Sequence, residues 1–301
     1  DKDAGDTDAT GVLKSTNAGA TWNLTGLTWQ TSQQRRIYRL LINPINPNTL
    51  IVATSVGVYR SLNAGATWSL VLNGSYVDAE YRPGDTTTVY VAAASAFYKS
   101  TNGGATFNAG TLPISANANL NRMSMAVTAA NNNYIYMIAS TSANAFGGLF
   151  RSTNSGATFS LMSTTPNIFD WSTTGNGTGG QGWYDIAIDA SPTNANEIVA
   201  GGVNTWKSVN GGSSWTLNTH WTGSGGRPYV HADLHCVYYT SGTQMYLGTD
   251  GGVFVTNNSS TSFTDINGNM NIAQIYKLGL SAVTNSKIIT GMQDNGTNLS
   301  N

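Results

Sequence analysis

Short runs of alternating apolar and polar residues, each ending at a turn signal, recur along the chain. Residues 36–61 read RIYRLLINPINPNTLIVATSVGVYRS, which predicts a strand, an Asn/Pro turn, a second strand, a short loop and a third strand. Comparable stretches are GWYDIAIDASPTNANEIVAGGVNTWKS, VHADLHCVYYTSGTQMYLGTDGGVFVT and IYKLGLSAVTNSKIITGMQDNGTNLS. Convincing amphipathic helical periodicity is absent from the sequence, and the pattern therefore predicts an all-β protein.

An eight-residue sequence motif follows these three-strand units and recurs along the chain. It reads STNAGATW at residue 15, SLNAGATW at 61, STNGGATF at 100, STNSGATF at 152 and SVNGGSSW at 208, with a weaker copy, TNNSSTSF, at 256. Successive copies start 46, 39, 52, 56 and 48 residues apart, which matches the length of a four-stranded propeller blade. We call this motif the box. If the four strands of a blade are lettered A to D in chain order, we expect the box to form the turn between strands C and D.

Each conserved letter of the box has a physical interpretation. The Asn is expected to bond backbone amides ahead of it, and the Gly two positions later to adopt a positive φ. The closing Trp or Phe is expected to pack between blades. A basic residue precedes five of the box serines, and we assign these five to the repeat and not to a ligand site: Lys14, Arg60, Lys99, Arg151 and Lys207.

The repeats organise residues 1–301 as a single propeller domain that begins and ends within a blade. Five complete blades lie between an N-terminal C–D part and a C-terminal A–B–C part. Either these parts close one shared blade, which gives six blades, or the natural chain extends further and has seven or more. We expect the chain to be a fragment of a longer polypeptide.

Composition narrows the class of partner. Charged residues make up 10% of the chain and the formal net charge is -1, so neither nucleic acid nor an anionic membrane is an expected partner. Apolar runs are too short for a membrane span. The single cysteine, Cys236, is expected to be buried and to point away from its neighbour His235. Polarity supplied by Asn, Ser, Thr and Gly suits a secreted bacterial surface protein.

The box is similar to the Asp-box or BNR repeat, S-x-D-x-G-x-T-W, with Asn in place of Asp in every copy. That repeat occurs in sialidases, xyloglucanase-type glycoside hydrolases and sortilin-like propellers. The segments VLKSTNAGATW, LINPINPNTLIVATS, HADLH and GMQDNGT most resemble large secreted BNR-repeat proteins of Bacteroidetes, many of which carry a type IX secretion sorting domain. The resemblance implies a propeller at the cell surface or outside the cell, with other domains of the same longer chain as partners.

Candidate carboxylates follow from aligning the B–C loops on the box. In a propeller blade the D–A and B–C loops share the face opposite the box turns. The position of Ser55 corresponds to Asp250 and Asp294 in the last two blades, where other blades carry small or apolar residues. With Asp233 as a third candidate, these aspartates could be the acid and base of a glycoside hydrolase, which needs two carboxyls about 5 to 10 Å apart.

Two further segments raise the question of a metal. In HADLH, His231, Asp233 and His235 alternate and are expected on one side of an inner strand, either as ligands of a divalent ion or as a hydrogen-bonded channel lining. In DKDAGD, Asp1, Asp3 and Asp6 suit a Ca²⁺ loop or a solvated acidic end. No cofactor is otherwise required.

The long D–A loops near the C-terminal half are rich in aromatic residues. The candidate ligand-binding residues among them are Trp171, Trp183, Tyr184, Trp221 and Tyr229, and His231 and His235 join them from HADLH. We expect Trp171 and Trp221 to be exposed, whereas Trp183 and Tyr184 could equally pack inward. The preferred hypothesis is a binding module for a polysaccharide or a surface protein, and the alternative is a glycoside hydrolase resembling the xyloglucanase group.

Overall fold

The protein is described here by a computed structural model that covers residues 8–114, 119–268, 270, 275–280, 283, 287–292 and 297–300. Those residues form β-strands, turns and two short 3-10 segments, Thr31–Gln33 and Ser224–Gly226. The predicted all-β propeller is confirmed. Within the described ranges, no helix is long and apolar enough to cross a membrane.

The strands pair antiparallel into seven sheets, numbered here in chain order. Sheet 1 has two strands, sheets 2 to 6 have four each and sheet 7 has three, as follows: β1 (Gly11–Lys14) and β2 (Asn23–Thr28); β3 (Ile37–Ile42), β4 (Leu50–Thr54), β5 (Gly57–Ser61) and β6 (Ser69–Asn73); β7 (Asp78–Arg82), β8 (Asp85–Ala92), β9 (Phe97–Ser100) and β10 (Asn108–Gly110); β11 (Leu120–Val127), β12 (Ile135–Thr141), β13 (Phe146–Ser152) and β14 (Ser160–Ser163); β15 (Ala187–Ala190), β16 (Ile198–Gly201), β17 (Thr205–Ser208) and β18 (Thr216–Thr219); β19 (Leu234–Tyr239), β20 (Met245–Thr249), β21 (Gly252–Thr256) and β22 (Thr264–Asp265); β23 (Ile275–Leu280), β24 (Ile288–Met292) and β25 (Thr297–Ser300).

The first strands of consecutive blades stand side by side at the centre. Contacts join β3 to β7, β7 to β11, β11 to β15 and β15 to β19. The apolar core lies between blades, because each cluster combines side chains from two neighbouring sheets, as Ile138 and Leu149 do with Ile188 and Ile198. Sheets 2 to 5 each contribute to two such clusters, so the stacking of blades buries apolar surface that a single blade would leave in water.

The box closes its turn with side-chain hydrogen bonds, as the second copy illustrates. Asn63 Oδ1 accepts from the Ser61 hydroxyl (3.0 Å) and from the Thr67 amide (2.8 Å), while Asn63 Nδ2 donates to Thr67 Oγ1 (2.9 Å). Gly65 has φ +89°, as predicted, and Ala64 before it also has a positive φ. Because Asn supplies both an acceptor and a donor to the turn, it replaces the family's Asp without a loss of bonds.

The three lysines that precede boxes link neighbouring blades. Lys14 Nζ donates to the Ala64 carbonyl (3.2 Å) in the next box, and Lys99 Nζ donates in the same way to Ser155 O (2.8 Å). Lys207 Nζ repeats the contact at 3.5 Å from Ser259 O. These bonds support the assignment of the lysines to the repeat.

The closing aromatic residue of the box packs against the preceding blade in the middle of the ring. Phe159 is buried and meets Phe97 edge-on, with ring centroids 4.9 Å apart. Trp215 is likewise buried against Phe146. In sheet 1 the same position behaves differently, because Trp22 is 61% exposed.

Candidate functional site

The face opposite the boxes carries the D–A and B–C loops, as predicted. Each box lies instead beside its own A–B turn, where the Ala64 amide, for example, donates to Asn48 O (2.8 Å). The longest D–A loops connect β14 to β15 and β18 to β19, and the short loop between β20 and β21 carries Asp250. These three loops build the candidate site.

Asp250 is the centre of a polar cluster contributed by sheets 5 and 6. Its Oδ2 accepts from the Tyr184 hydroxyl and its Oδ1 from His235 Nε2, each at 2.7 Å. The Tyr184 and His235 rings meet edge-on, with centroids 5.0 Å apart. Partial burial raises the pKa of Asp250, but the hydrogen bonds from His235 and Tyr184 and the nearby imidazoles outweigh it, so the pKa lies below its usual value. Asp250 is therefore a carboxylate at neutral pH.

Asp233 joins this cluster through its backbone and its side chain. Its carbonyl accepts the Asp250 amide (3.3 Å), and its Oδ1 accepts from Gln181 Nε2 (3.0 Å). The residue has φ +65°, and β19 begins only at Leu234. The expectation that His231, Asp233 and His235 alternate along one strand is therefore wrong, because the chain turns at Asp233 before the strand starts.

Asp185 belongs to the same region and was missed by the sequence analysis. It lies just ahead of β15, it is completely buried, and neither of its carboxyl oxygens meets a hydrogen-bond donor from another of the described residues. Burial first, and then the neighbouring carboxyl of Asp233, raise the pKa of Asp185 to about 9, although the charge of Arg122 acts in the opposite direction. Asp185 is therefore protonated at neutral pH.

An aromatic surface lies on the same loops. Trp171 is 54%, Trp221 43% and Tyr229 52% exposed, which confirms the predicted exposure of the two tryptophans, and we call these three residues the aromatic platform. The Asn204 side chain holds both tryptophan backbones, because Nδ2 donates to Trp171 O (3.0 Å) and Oδ1 accepts the Trp221 amide (3.1 Å). His220 stacks on Trp221 with an interplanar angle of 27°, and burial lowers its pKa, so the ring is neutral at neutral pH.

The remaining loop aromatics are only half-buried. Trp183 and Tyr184 lie against each other, with centroids 5.5 Å apart, at the entrance to β15. Tyr184 directs its hydroxyl to Asp250. It thus combines an inward-packed ring with a polar contact in the cluster.

Several predicted residues lie outside the described ranges or differ from expectation. Asp294 and the calcium candidates Asp1, Asp3 and Asp6 belong to the undescribed segments, so those hypotheses stay predictions. Among the described residues, no three His, Cys, Asp or Glu side chains converge as metal ligands. Cys236 is exposed and not buried, because a β-bulge between Leu234 and Cys236 breaks the alternation of the strand.

The central channel holds a second group of carboxylates with a structural role. Asp78 Oδ2 accepts the Met125 amide of the next inner strand, and Asp189 Oδ2 accepts the Tyr239 amide in the same way, each at 2.8 Å. Glu80 bonds to Arg39, and burial raises the pKa of Glu80 to about 8. These carboxyl groups link one blade to the next. We therefore assign them a structural role and do not count them among the residues of the candidate site on the loop face.

Comparison with known proteins supports the fold. No family model and no curated protein matches the chain. The structure is similar to the GH74 enzyme of Niastella koreensis, with a TM-score of 0.63 and 18% identity over 96% of this chain and 47% of that one. It is also similar to YCF48 bound to D1 peptide (TM-score 0.56, 12% identity, 97% of this chain and 87% of that one).

A third similar structure is the extracellular domain of BT4673 from B. thetaiotaomicron. Its TM-score is 0.58 and its identity 15%, over 97% of this chain and 36% of that one. The chain therefore spans about half the length of the GH74 enzyme and about a third of the BT4673 domain. At these identities the likeness establishes a propeller and leaves activity to the residues of the site.

Proposed function

We propose that this chain is an extracellular propeller module that binds glycan on its D–A and B–C loop face. The observation that carries the proposal is the aromatic platform: its three rings are exposed, Asn204 holds the backbones of the two tryptophans, and His220 stacks on the Trp221 ring. Rigid exposed rings offer apolar area for the C–H face of a sugar at little entropic cost.

The polar cluster supplies the hydrogen bonds that such a ligand needs. A carboxylate has about four acceptor positions, and Asp250 uses two of them for Tyr184 and His235. The remaining positions can accept sugar hydroxyls. A few fixed polar groups beside apolar surface are typical of small-molecule and sugar sites.

The comparisons support the same proposal. One similar structure is a glycoside hydrolase of the GH74 group, and another is an extracellular domain. The YCF48 structure contains a bound peptide, so a protein ligand is the alternative within the binding hypothesis.

The test is retention by a soluble polysaccharide. Xyloglucan is the first probe, because the box resembles that of xyloglucanase-type enzymes, and affinity gel electrophoresis measures the dissociation constant. We expect the variant with Trp171→Ala and Trp221→Ala to bind at least about tenfold more weakly, which corresponds to about 1.4 kcal/mol. Trp22→Ala is the control, since Trp22 is also an exposed tryptophan but lies in a box. Equal binding by both variants would contradict a glycan site on the platform.

A second candidate is glycoside hydrolysis, favoured by the ionised carboxylate of Asp250 beside Asp233. In this hypothesis Asp250 acts as the base, and Asp233 or Asp294 as the acid. Release of reducing ends from xyloglucan that Asp250→Asn and Asp294→Asn each abolish would support the enzyme. Retention of xyloglucan by the wild-type protein without any release would leave a binding module only.

A further inference from the structure

Asp185 is a buried acid to which no other described residue donates a hydrogen bond. Its side chain is fully buried two residues ahead of β15, and within the part of the chain that the structure describes no other residue donates a hydrogen bond to its two carboxyl oxygens. An ionised carboxylate in that position would be strongly destabilising, because nothing there replaces its hydration. Asp170, which is also buried, differs because the Ser172 hydroxyl and the Gly177 amide both donate to it.

The group that faces Asp185 is a second carboxyl. Asp233 is its hydrogen-bonding neighbour, and Gln181 ties the two together. The Gln181 carbonyl accepts the Asp185 amide (3.0 Å), while its Nε2 donates to Asp233 Oδ1 (3.0 Å). Two carboxyl groups form a hydrogen bond only if one of them carries a proton.

The surrounding charges require the same proton. The nearest cation from β11 is Arg122, whose Nη1 is committed to the carbonyls of Trp183 (2.8 Å) and Tyr184 (2.5 Å). On the side of β19 and the Asp250 loop, the imidazoles of His231 and His235 face Asp250. Two ionised carboxylates would therefore leave one unbalanced negative charge inside the protein, and a single proton removes it.

We propose that Asp185 and Asp233 hold one proton between them at neutral pH and that Asp185 is thereby a positioning residue of the loop-face site. The protonated Asp185 donates its O–H to the Asp233 carboxylate. Gln181 in turn donates a hydrogen bond to the Asp233 carboxylate, and the Asp233 backbone carbonyl accepts the amide of Asp250. The proton thus fixes the geometry of the carboxylate that we assign to sugar binding.

Loss of the proton has a directional consequence. The charge of the buried Asp185 and that of the half-buried Asp233 would repel, and the D–A loop that carries Tyr184 and Gln181 would separate from Asp233. Ligand retention should therefore fall as the pH rises through the midpoint of this titration. The effect on ligand rests on the proposed function, but the shared proton does not.

The experiment is a pH titration of the full chain labelled with ¹³C at the aspartate carboxyl carbons, followed by NMR. We expect one carboxyl resonance with a midpoint near pH 9, absent in Asp185→Asn and unchanged in the matched control Asp170→Asn. The Asn amide should still donate to Asp233, so Asp185→Asn is expected to keep the fold of the loop. The proposal is overturned if Asp185→Asn removes no titration above neutral pH. It is also overturned if Ca²⁺ at neutral pH shifts the Asp185 and Asp233 resonances, because the pair would then hold a cation.

A second measurement separates the two proposals. Xyloglucan retention by the wild-type chain should weaken at least about tenfold above the titration midpoint, whereas Asp185→Asn should bind equally well on both sides of it. A chain that titrates as expected but retains no xyloglucan supports the shared proton and contradicts the glycan function. Retention that falls equally in both proteins contradicts the positioning role.

Discussion

The box glycine offers a direct test of how the blades pack. Gly212 has φ +87°, and a Cβ added there would lie 1.8 Å from Leu149 Cδ2 of the preceding blade. Gly19 occupies the same box position with φ +88°, but its nearest neighbour would be Trp22 Cζ2 at 3.8 Å. Substituting each by Ala therefore applies the same backbone strain and differs only in the steric contact.

The magnitudes follow from these two contributions. Placing Ala in the left-handed region costs roughly 1–2 kcal/mol, and this applies at both positions. At Gly212 the new methyl group also displaces Leu149, which is fully buried, and overpacking of that kind costs about 1–3 kcal/mol. Gly212→Ala should therefore lower the free energy of unfolding by about 2–5 kcal/mol, and Gly19→Ala by about 1–2 kcal/mol.

Urea titration of both variants, followed by tryptophan fluorescence, measures the difference between them. The steric argument requires Gly212→Ala to be the less stable variant by at least about 1 kcal/mol. Equal destabilisation by the two substitutions would mean that the box does not pack against the preceding blade. The interpretation of the repeat as a packing contact between blades would then be refuted.

Three further predictions concern the repeat and the buried acid. Asn154→Asp, which restores the family residue, should change stability by less than about 0.5 kcal/mol, whereas Asn154→Ala, which removes three hydrogen bonds, should cost about 1–3 kcal/mol by urea titration. Lys99→Met should cost about 1–2 kcal/mol in the same assay, because it removes the charged donor to Ser155 O, and an unchanged midpoint would contradict the link between blades. The folded-state pKa of Asp185, about 9, lies above the ordinary value of 3.8, so the folded chain binds more protons and this group makes the free energy of unfolding fall as the pH rises between those values. Asp185→Asn should remove up to about 1.4 kcal/mol per pH unit of that slope, and parallel pH–stability curves for the two proteins would contradict it.

The fold was predictable because its signal is local and repeated. A box contains the donor, the acceptor and the glycine that its turn requires, so Ser61, Asn63 and Gly65 specify the turn without help from distant residues. Six such turns at blade spacing then define the architecture. The exposure of Trp171 and Trp221 was also predictable, since both lie in long polar loops.

The site was harder to predict because it depends on departures from regular strand geometry. Alternation failed in HADLH, where the positive φ of Asp233 and the bulge before Cys236 redirect three side chains. Asp185 was not predicted as a site residue, because aligning the blades on the box compared their B–C loops and not the residues that precede their inner strands. A comparison of those positions would have placed Asp185 and Asp233 in equivalent positions of adjacent blades.

The lysine contacts between boxes have a consequence for how such a chain can lengthen during evolution. Lys14, Lys99 and Lys207 lie in sheets 1, 3 and 5, and each donates to a box carbonyl of the following sheet. Each of these three interfaces is therefore heterologous, because the lysine surface of one blade meets the different, carbonyl-bearing surface of the next. Both halves of this joint occur together in a pair of consecutive blades, so a gene duplication that copies such a pair would carry the matched lysine and carbonyl with it.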